Sequence, residues 1–255
     1  MEIAPQVRLG PLSQVVARDA RWDDPYPAWQ SYADELEKLC EFLVQARQFE
    51  RYLPRLRGRK KERNSALNEI RLAWHFQSAD VPIISWEPRG QDECAGEFLL
   101  GLQSGQRIFV EVKGPTWEAE LSQDERLAGR IRGPKYINGE GRAFDNSEWI
   151  RFAIDKAYPK FDSGSPNLVI IADDLFVSLQ HGTDMFAGKA LYEARYGAYF
   201  SNKGYERLGG AGVFWTNSAD SGVLYDLRLY INTYALESCR LPDLFVRDFG
   251  GQAVS

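Results

Sequence analysis

The sequence predicts an α/β fold in which a mixed central sheet is flanked by helices, with a helical extension at the N-terminus and extra strands near the C-terminus. Three observations predict it. A helical hydrophobic period occupies the first part of the chain, and strand-like segments follow. Residues 167–172 (NLVIIA) are almost wholly apolar, which is typical of a strand buried on both faces. Helices and strands in this order indicate a sheet with helices packed against it.

The hydrophobic pattern also places the individual elements. Large apolar residues recur at three- and four-residue spacing over 27–52 and predict one long helix. A second helix is expected to begin at Asn64 or Ser65, both good N-caps, and to end at about Ser78. Strands are expected over 81–86, 212–216 and 223–231, and a further helix over 147–161, which Pro159 could shorten.

Two short strand-like segments in the middle of the chain are joined by a tight turn. A three-residue loop over 103–105, with Gly105 in the left-handed conformation, places Glu97 opposite Glu111 and puts Lys113 on the same face. The apolar side chains then gather on the other face. A two-residue loop would mix apolar and acidic side chains on both faces, so the sequence favours the three-residue loop.

The counts of cysteine and histidine exclude several kinds of site. The three cysteines, Cys40, Cys94 and Cys239, are odd in number and fit no metal spacing, which predicts reduced thiols and a cytoplasmic protein. The first 30 residues lack a signal-peptide pattern, and no apolar run approaches membrane-spanning length, so no membrane partner is expected. With only His75 and His181, a histidine-rich metallohydrolase or zinc-finger site cannot be assembled.

The order of these features resembles the PD-(D/E)XK nuclease superfamily, whose members share the restriction-endonuclease-like fold. Glu69 lies in the predicted second helix, Glu97 on the second strand, and Glu111-Val112-Lys113 on the third. The resemblance implies Mg²⁺ or Mn²⁺ held by Glu97, Glu111 and the Val112 carbonyl, with Glu69 bound to a metal or to its water. It also implies that Lys113 orients the attacking water and offsets charge in the transition state.

The resemblance covers about residues 64–175. It predicts a nuclease-like α/β domain over 64–255, preceded by an extension, 1–63, that contains one long helix and a basic segment and packs on the core. The function it implies is that of a metal-dependent nuclease acting on DNA more than RNA. A catalytically inactive protein of the same fold, which binds nucleic acid or another protein, is the alternative. An E-x-K triplet alone is also common at exposed strand edges.

The chain departs from the family pattern at the second-strand acid. Gly96 stands where the family usually has proline, and Glu97 stands where aspartate is commoner. Asp92 and Glu93 lie close by, and Glu93 has the same strand parity as Glu97. Either of them is therefore an alternative second-strand acid.

Basic residues predict where nucleic acid would bind. The net charge of −5 argues against a protein that coats nucleic acid, but a local basic cluster spans 51–63. Its predicted phosphate contacts are Arg59, Lys60, Lys61 and Arg63, with a solvated helix end as the alternative.

Two further groups of polar residues follow the hairpin. Arg130 and Arg132, in a loop-like region over 116–146, are predicted to contact phosphate, although an ordinary charged loop is an equal alternative. On the next predicted helix, Lys160 belongs to a polar face for which an accessory role and a solvated surface are both open.

Overall fold

The computed structural model describes most of the chain as two compact units. The first unit comprises Met1–Val81 and Thr216–Asp226, and the second comprises Pro82–Trp215 and Leu227–Ser255. The residues that the structure describes are 7–24, 26–91, 94–114, 147–173, 191–192, 199–201, 203–219 and 222–249.

Four helices form most of the first unit: α1 (Pro11–Ala17), α2 (Gln30–Gln45), α3 (Phe49–Leu56) and α4 (Lys60–Ser78). The single helix predicted over 27–52 is divided between α2 and α3. The reason is Arg47, which adopts a positive φ of 58° that an α-helix cannot contain. The N–H of Gln48 then donates to the Leu43 carbonyl at 2.7 Å, which closes the end of α2.

Helix α4 begins at Lys60, four or five residues before the predicted starts at Asn64 and Ser65, and ends at the predicted residue, Ser78. The start is set by Glu62, whose carboxylate accepts the Arg59 N–H at 3.1 Å and so satisfies a donor ahead of the first turn. Helix α4, assigned from sequence to the α/β domain, groups with the three preceding helices.

A buried ion pair connects distant segments of the first unit. Arg71 donates from Nε to Glu35 Oε1 at 2.8 Å and from Nη2 to Oε2 at 2.6 Å. Tyr225, from the Thr216–Asp226 segment, donates its hydroxyl to the same Oε1 at 2.6 Å. Burial, together with the Glu35 charge, raises the pKa of Tyr225 well above its usual value, so the hydroxyl keeps its proton. Both oxygens of this buried carboxylate therefore have donors.

The strands form a six-stranded mixed sheet whose spatial order follows the chain order. β1 pairs antiparallel with β2 and β2 with β3, whereas β3 pairs parallel with β4 and β4 with β5. The predicted mixed sheet with helices is confirmed at this level. The strands are β1 (Ile83–Trp86), β2 (Phe98–Gly101), β3 (Arg107–Lys113), β4 (Asn167–Asp173), β5 (Gly210–Ala219) and β6 (Gly222–Ile231).

The turn between β2 and β3 has the predicted form. Leu102 and Gln106 close it through a 2.9 Å hydrogen bond from N–H to carbonyl, which leaves a three-residue loop between them. Gly105, the last loop residue, has a φ of +81°. The ladder that follows pairs Phe98 with Val110, which is the predicted register.

Helix α5 (Ser147–Ala157) packs on one face of the sheet, and a 3₁₀ turn, Tyr158–Lys160, follows it. The helix ends ahead of Pro159, as the sequence suggested. A short helix, α6 (Asp243–Asp248), lies near the C-terminus. Within the described part of the chain, none of the helices has the length and apolar character needed to cross a membrane. The core under α5 contains Phe109, Ile150, Ile154, Phe161, Val169, Ile171, Ala211 and Val213.

We expect Gly105→Ala to lower the free energy of unfolding by about 1–2 kcal/mol, because an L-residue is strained at this φ. No atom lies within 4 Å of a Cβ built there, so the loss would come from the backbone alone. Urea unfolding measures it. Gly164→Ala is the control, since the atom nearest to a Cβ built at Gly164 is Asp162 Oδ1, at an ordinary van der Waals distance of 3.4 Å. Equal stability of the two variants would contradict a left-handed turn.

Candidate metal centre

Strand β3 carries the candidate acid and lies in the interior of the sheet, between β2 and β4. Every side chain from Ile108 to Val112 is buried, and Glu111 is 0% exposed. Glu111 shares its face with Phe109, because side chains alternate along a strand, and this is the face that α5 covers. The E-x-K triplet is therefore not an exposed strand edge.

Two ammonium groups meet one oxygen of the buried carboxylate. Lys113 Nζ contacts Glu111 Oε1, and Lys160 Nζ donates to the same atom at 2.5 Å. Lys160 also donates to the Ala95 carbonyl at 2.7 Å. Both lysine side chains are about a quarter exposed, at 23% and 24%, so their charged ends remain close to solvent. The second oxygen, Oε2, is buried and has no hydrogen-bond partner among the residues that the structure describes.

The unpaired Oε2 is energetically unusual. A buried polar atom without a partner costs about 1–3 kcal/mol, and more when it carries charge. Native proteins keep few such atoms, and a ligand is one of the reasons for keeping them. A hard divalent cation would satisfy a carboxylate oxygen in this position. The residues present therefore fit such an ion.

Glu97 lies where β2 and β3 separate. Its N–H donates to the Val110 carbonyl at 3.1 Å, beside the last ladder pair, Phe98 with Val110. Its carboxylate Oε2 accepts the Val112 N–H at 3.2 Å. The N–H and carbonyl of a strand residue point to the same side, so the Val112 carbonyl also faces this region. Three of the predicted metal ligands, Glu97, Glu111 and Val112, thus lie at one end of the hairpin.

The structure explains the glycine that precedes this acid. The Gly96 N–H donates to the Pro88 carbonyl at 2.9 Å, and a proline has no N–H to donate. A Cβ at this position would also collide with the Phe109 ring. Local packing on the covered face therefore favours glycine at this position.

Glu69 belongs to the first unit, where its carboxylate is already bound. Arg55 donates from Nη1 to Glu69 Oε2 at 2.6 Å and contacts Oε1 through Nη2, and the Ser65 hydroxyl donates to Oε1 at 3.2 Å. Burial, followed by the Glu69 charge, raises the pKa of the neighbouring Tyr52 far above its usual value. A metal role for Glu69 stays a prediction.

The basic cluster requires a correction at Arg63, which was predicted to contact nucleic acid. Its side chain is only 2% exposed and donates to Asp24 at 2.8 Å. The guanidinium also lies over the rings of Tyr26, at 4.5 Å, and Trp22, at 5.6 Å. The acid and the two rings remove it from solvent, so Arg63 packs the first unit and does not present its charge to a ligand.

The other predicted contacts of the cluster differ in exposure. Lys60 lies 3.9 Å from Asp24 and is 29% exposed, whereas Arg59 and Lys61 are exposed. These two residues are open to solvent, and their contact with phosphate stays a prediction. Arg130, Arg132 and the alternative acids Asp92 and Glu93 lie outside the described residues.

Lys160 is the residue whose place the sequence left open. Its position depends on where α5 ends and on the turn at Pro159. The proline that ends the helix is therefore the sequence signal that could have placed Lys160.

Among the described residues, no set of three or more His, Cys, Asp or Glu side chains is placed to hold a metal ion. The candidate centre thus combines two carboxylates, one backbone carbonyl and two lysines.

Comparison with known proteins gives no relative for this chain. No protein-family model matches it, and no match is found among curated proteins or solved structures.

Proposed function

We propose that this chain is a metal-dependent nuclease of restriction-endonuclease-like fold, which hydrolyses phosphodiester bonds in DNA more readily than in RNA. The observation that carries the proposal is the fully buried carboxylate of Glu111, which has two ammonium groups on one oxygen and, among the residues that the structure describes, no hydrogen-bond partner on the other. Glu35, the buried carboxylate of an ion pair in the first unit, has donors at both oxygens.

The candidate ligands suit Mg²⁺ or Mn²⁺. Glu111 Oε2, the Glu97 carboxylate and the Val112 carbonyl are hard oxygen donors, and Mg²⁺ completes its shell with water and substrate phosphate. When bound, such an ion lowers the pKa of a coordinated water and supplies the nucleophile. The carboxylates would place that ion beside β3, and burial would limit the movement of Glu111.

Lys113 has the position expected of a charge partner for phosphate. Its side chain extends from the same face as Glu111, two residues along β3, and is 23% exposed. An ammonium fixed beside the reacting phosphate stabilises negative charge that develops in the transition state. Its partly exposed end can reach a ligand that approaches from solvent.

The second candidate is an inactive protein of this fold that binds nucleic acid or a protein. The observation that favours it is charge balance: both lysines contact Glu111, so the two lysines and two carboxylates of the centre carry no net charge, and the described residues hold no set of three or more possible metal-ligating side chains. An ion is then not required to balance the charge of the carboxylates.

The two candidates differ in cleavage. We expect the wild type to cut plasmid or single-stranded DNA faster than RNA with Mg²⁺ or Mn²⁺, and to cut none of these substrates with EDTA. Lys113→Ala should lower the cleavage rate by on the order of 10²-fold, with the fold and nucleic-acid affinity nearly unchanged. Glu111→Gln keeps the side-chain volume and should abolish cleavage.

Gel assays under single-turnover conditions measure the rates, and filter binding measures the affinities. Arg247→Met, a change at a side chain that is 71% exposed, is the control for loss of a positive charge. No cleavage by the wild type with either ion, together with equal affinities for all variants, would leave the inactive protein as the better account.

The exposed residues of the basic cluster, Arg59 and Lys61, lead to a separate prediction. Replacing Arg59 and Lys61 with Ala should weaken nucleic-acid binding about equally for all sequences. It should also reduce the magnitude of the slope of log binding constant against log salt concentration by about 2, because each phosphate contact contributes about 0.9. Arg18→Ala with Lys38→Ala is the matched control, since both residues are exposed and lie outside the cluster. An equal loss in the two double variants would return the cluster to an ordinary solvated surface.

A further inference from the structure

We propose that Lys160 is a positioning residue of the candidate metal centre, which holds Glu111 in place so that Lys113 is available to the substrate phosphate. This assignment rests on the proposed function. It divides the work between two lysines that share one carboxylate oxygen, Glu111 Oε1.

The contacts of the two lysines are different. Lys160 Nζ has two acceptors from separate segments, Glu111 Oε1 at 2.5 Å and the Ala95 carbonyl at 2.7 Å. Lys113 Nζ, within the described ranges, contacts Glu111 alone. Ala95 lies two residues before Glu97, so Lys160 joins the segment that carries one acid to the strand that carries the other.

The backbone of Lys160 is held on both sides. Phe161, the next residue, is fully buried and meets the Phe109 ring edge-on at 6.0 Å. Arg207 donates to the Phe161 carbonyl at 2.6 Å and lies over the Tyr158 ring at 4.5 Å. These contacts fix the short turn from which Lys160 extends.

The charge of the site explains why two lysines are present. If Lys113 were the sole partner, its movement to a phosphate would leave the buried Glu111 carboxylate without a counter-charge, which is strongly unfavourable. Lys160 keeps one ammonium on Oε1 throughout. Oε2 therefore stays directed to the ion, and the Lys113 ammonium can leave the Glu111 carboxylate to contact phosphate.

The test is Mn²⁺ binding by the full chain, measured by electron paramagnetic resonance, in Lys160→Met and Lys113→Met. Removing a positive charge alone would tighten cation binding. Loss of a residue that orients a ligand should instead weaken it, and we expect about 10–100-fold weaker binding in Lys160→Met. In Lys113→Met we expect unchanged or tighter binding, with cleavage lost. Arg247→Met, exposed and away from these contacts, is the control.

Three outcomes decide the proposal. Unchanged or tighter Mn²⁺ binding in Lys160→Met would overturn it, because Lys160 would then only compete with the ion. If the wild type binds no Mn²⁺, the proposed function fails, and the positioning role of Lys160 is then tested by the melting temperature. Lys160→Met should lower the melting temperature more than Lys113→Met does. An equal or smaller decrease in Lys160→Met would overturn the positioning role. If Lys160→Met does not fold, Lys160→Gln keeps a donor for Ala95 without the charge and should show the same loss of Mn²⁺ binding.

Discussion

The carboxylate of Glu111 stays inside the sheet because β3 runs between two neighbouring strands and α5 covers the face to which the side chain points. A buried carboxylate is tolerated only with charge partners and hydrogen bonds. Lys113 supplies one partner from the same strand. Lys160 supplies another from the turn that follows α5. The position of that helix therefore depends on the charge of Glu111, and the burial of that charge depends on the helix.

The surroundings of this carboxylate follow from the same packing. The Phe109 ring, two residues before Glu111, fills the space in which a Cβ of Gly96 would lie and also packs against Phe161. Gly96 therefore brings the backbone of the Glu97 segment close to β3, and Phe161 anchors the turn that presents Lys160. One aromatic side chain thus connects both segments that approach the centre.

The hairpin could be predicted from the sequence because its two signals are local: apolar alternation and a glycine at the turn, which the positive φ of Gly105 confirms. Features that depend on residues far apart in the sequence could not be predicted in this way. The burial of Arg63 against Asp24, which overturns its predicted contact with nucleic acid, depends on a residue 39 positions earlier, and the pairing of Glu69 with Arg55 was equally invisible in the sequence. The pattern of charges along the chain does not show which charges neutralise one another.

The most direct test of the centre is a crystal soaked with Mn²⁺, with anomalous scattering recorded at the manganese edge. We expect one strong peak about 2.1 Å from Glu111 Oε2, with the Glu97 carboxylate and the Val112 carbonyl beside it and Lys160 still on Oε1. A crystal in which the peak is absent, or lies away from β3 while Glu111 Oε2 remains unligated, would contradict the account.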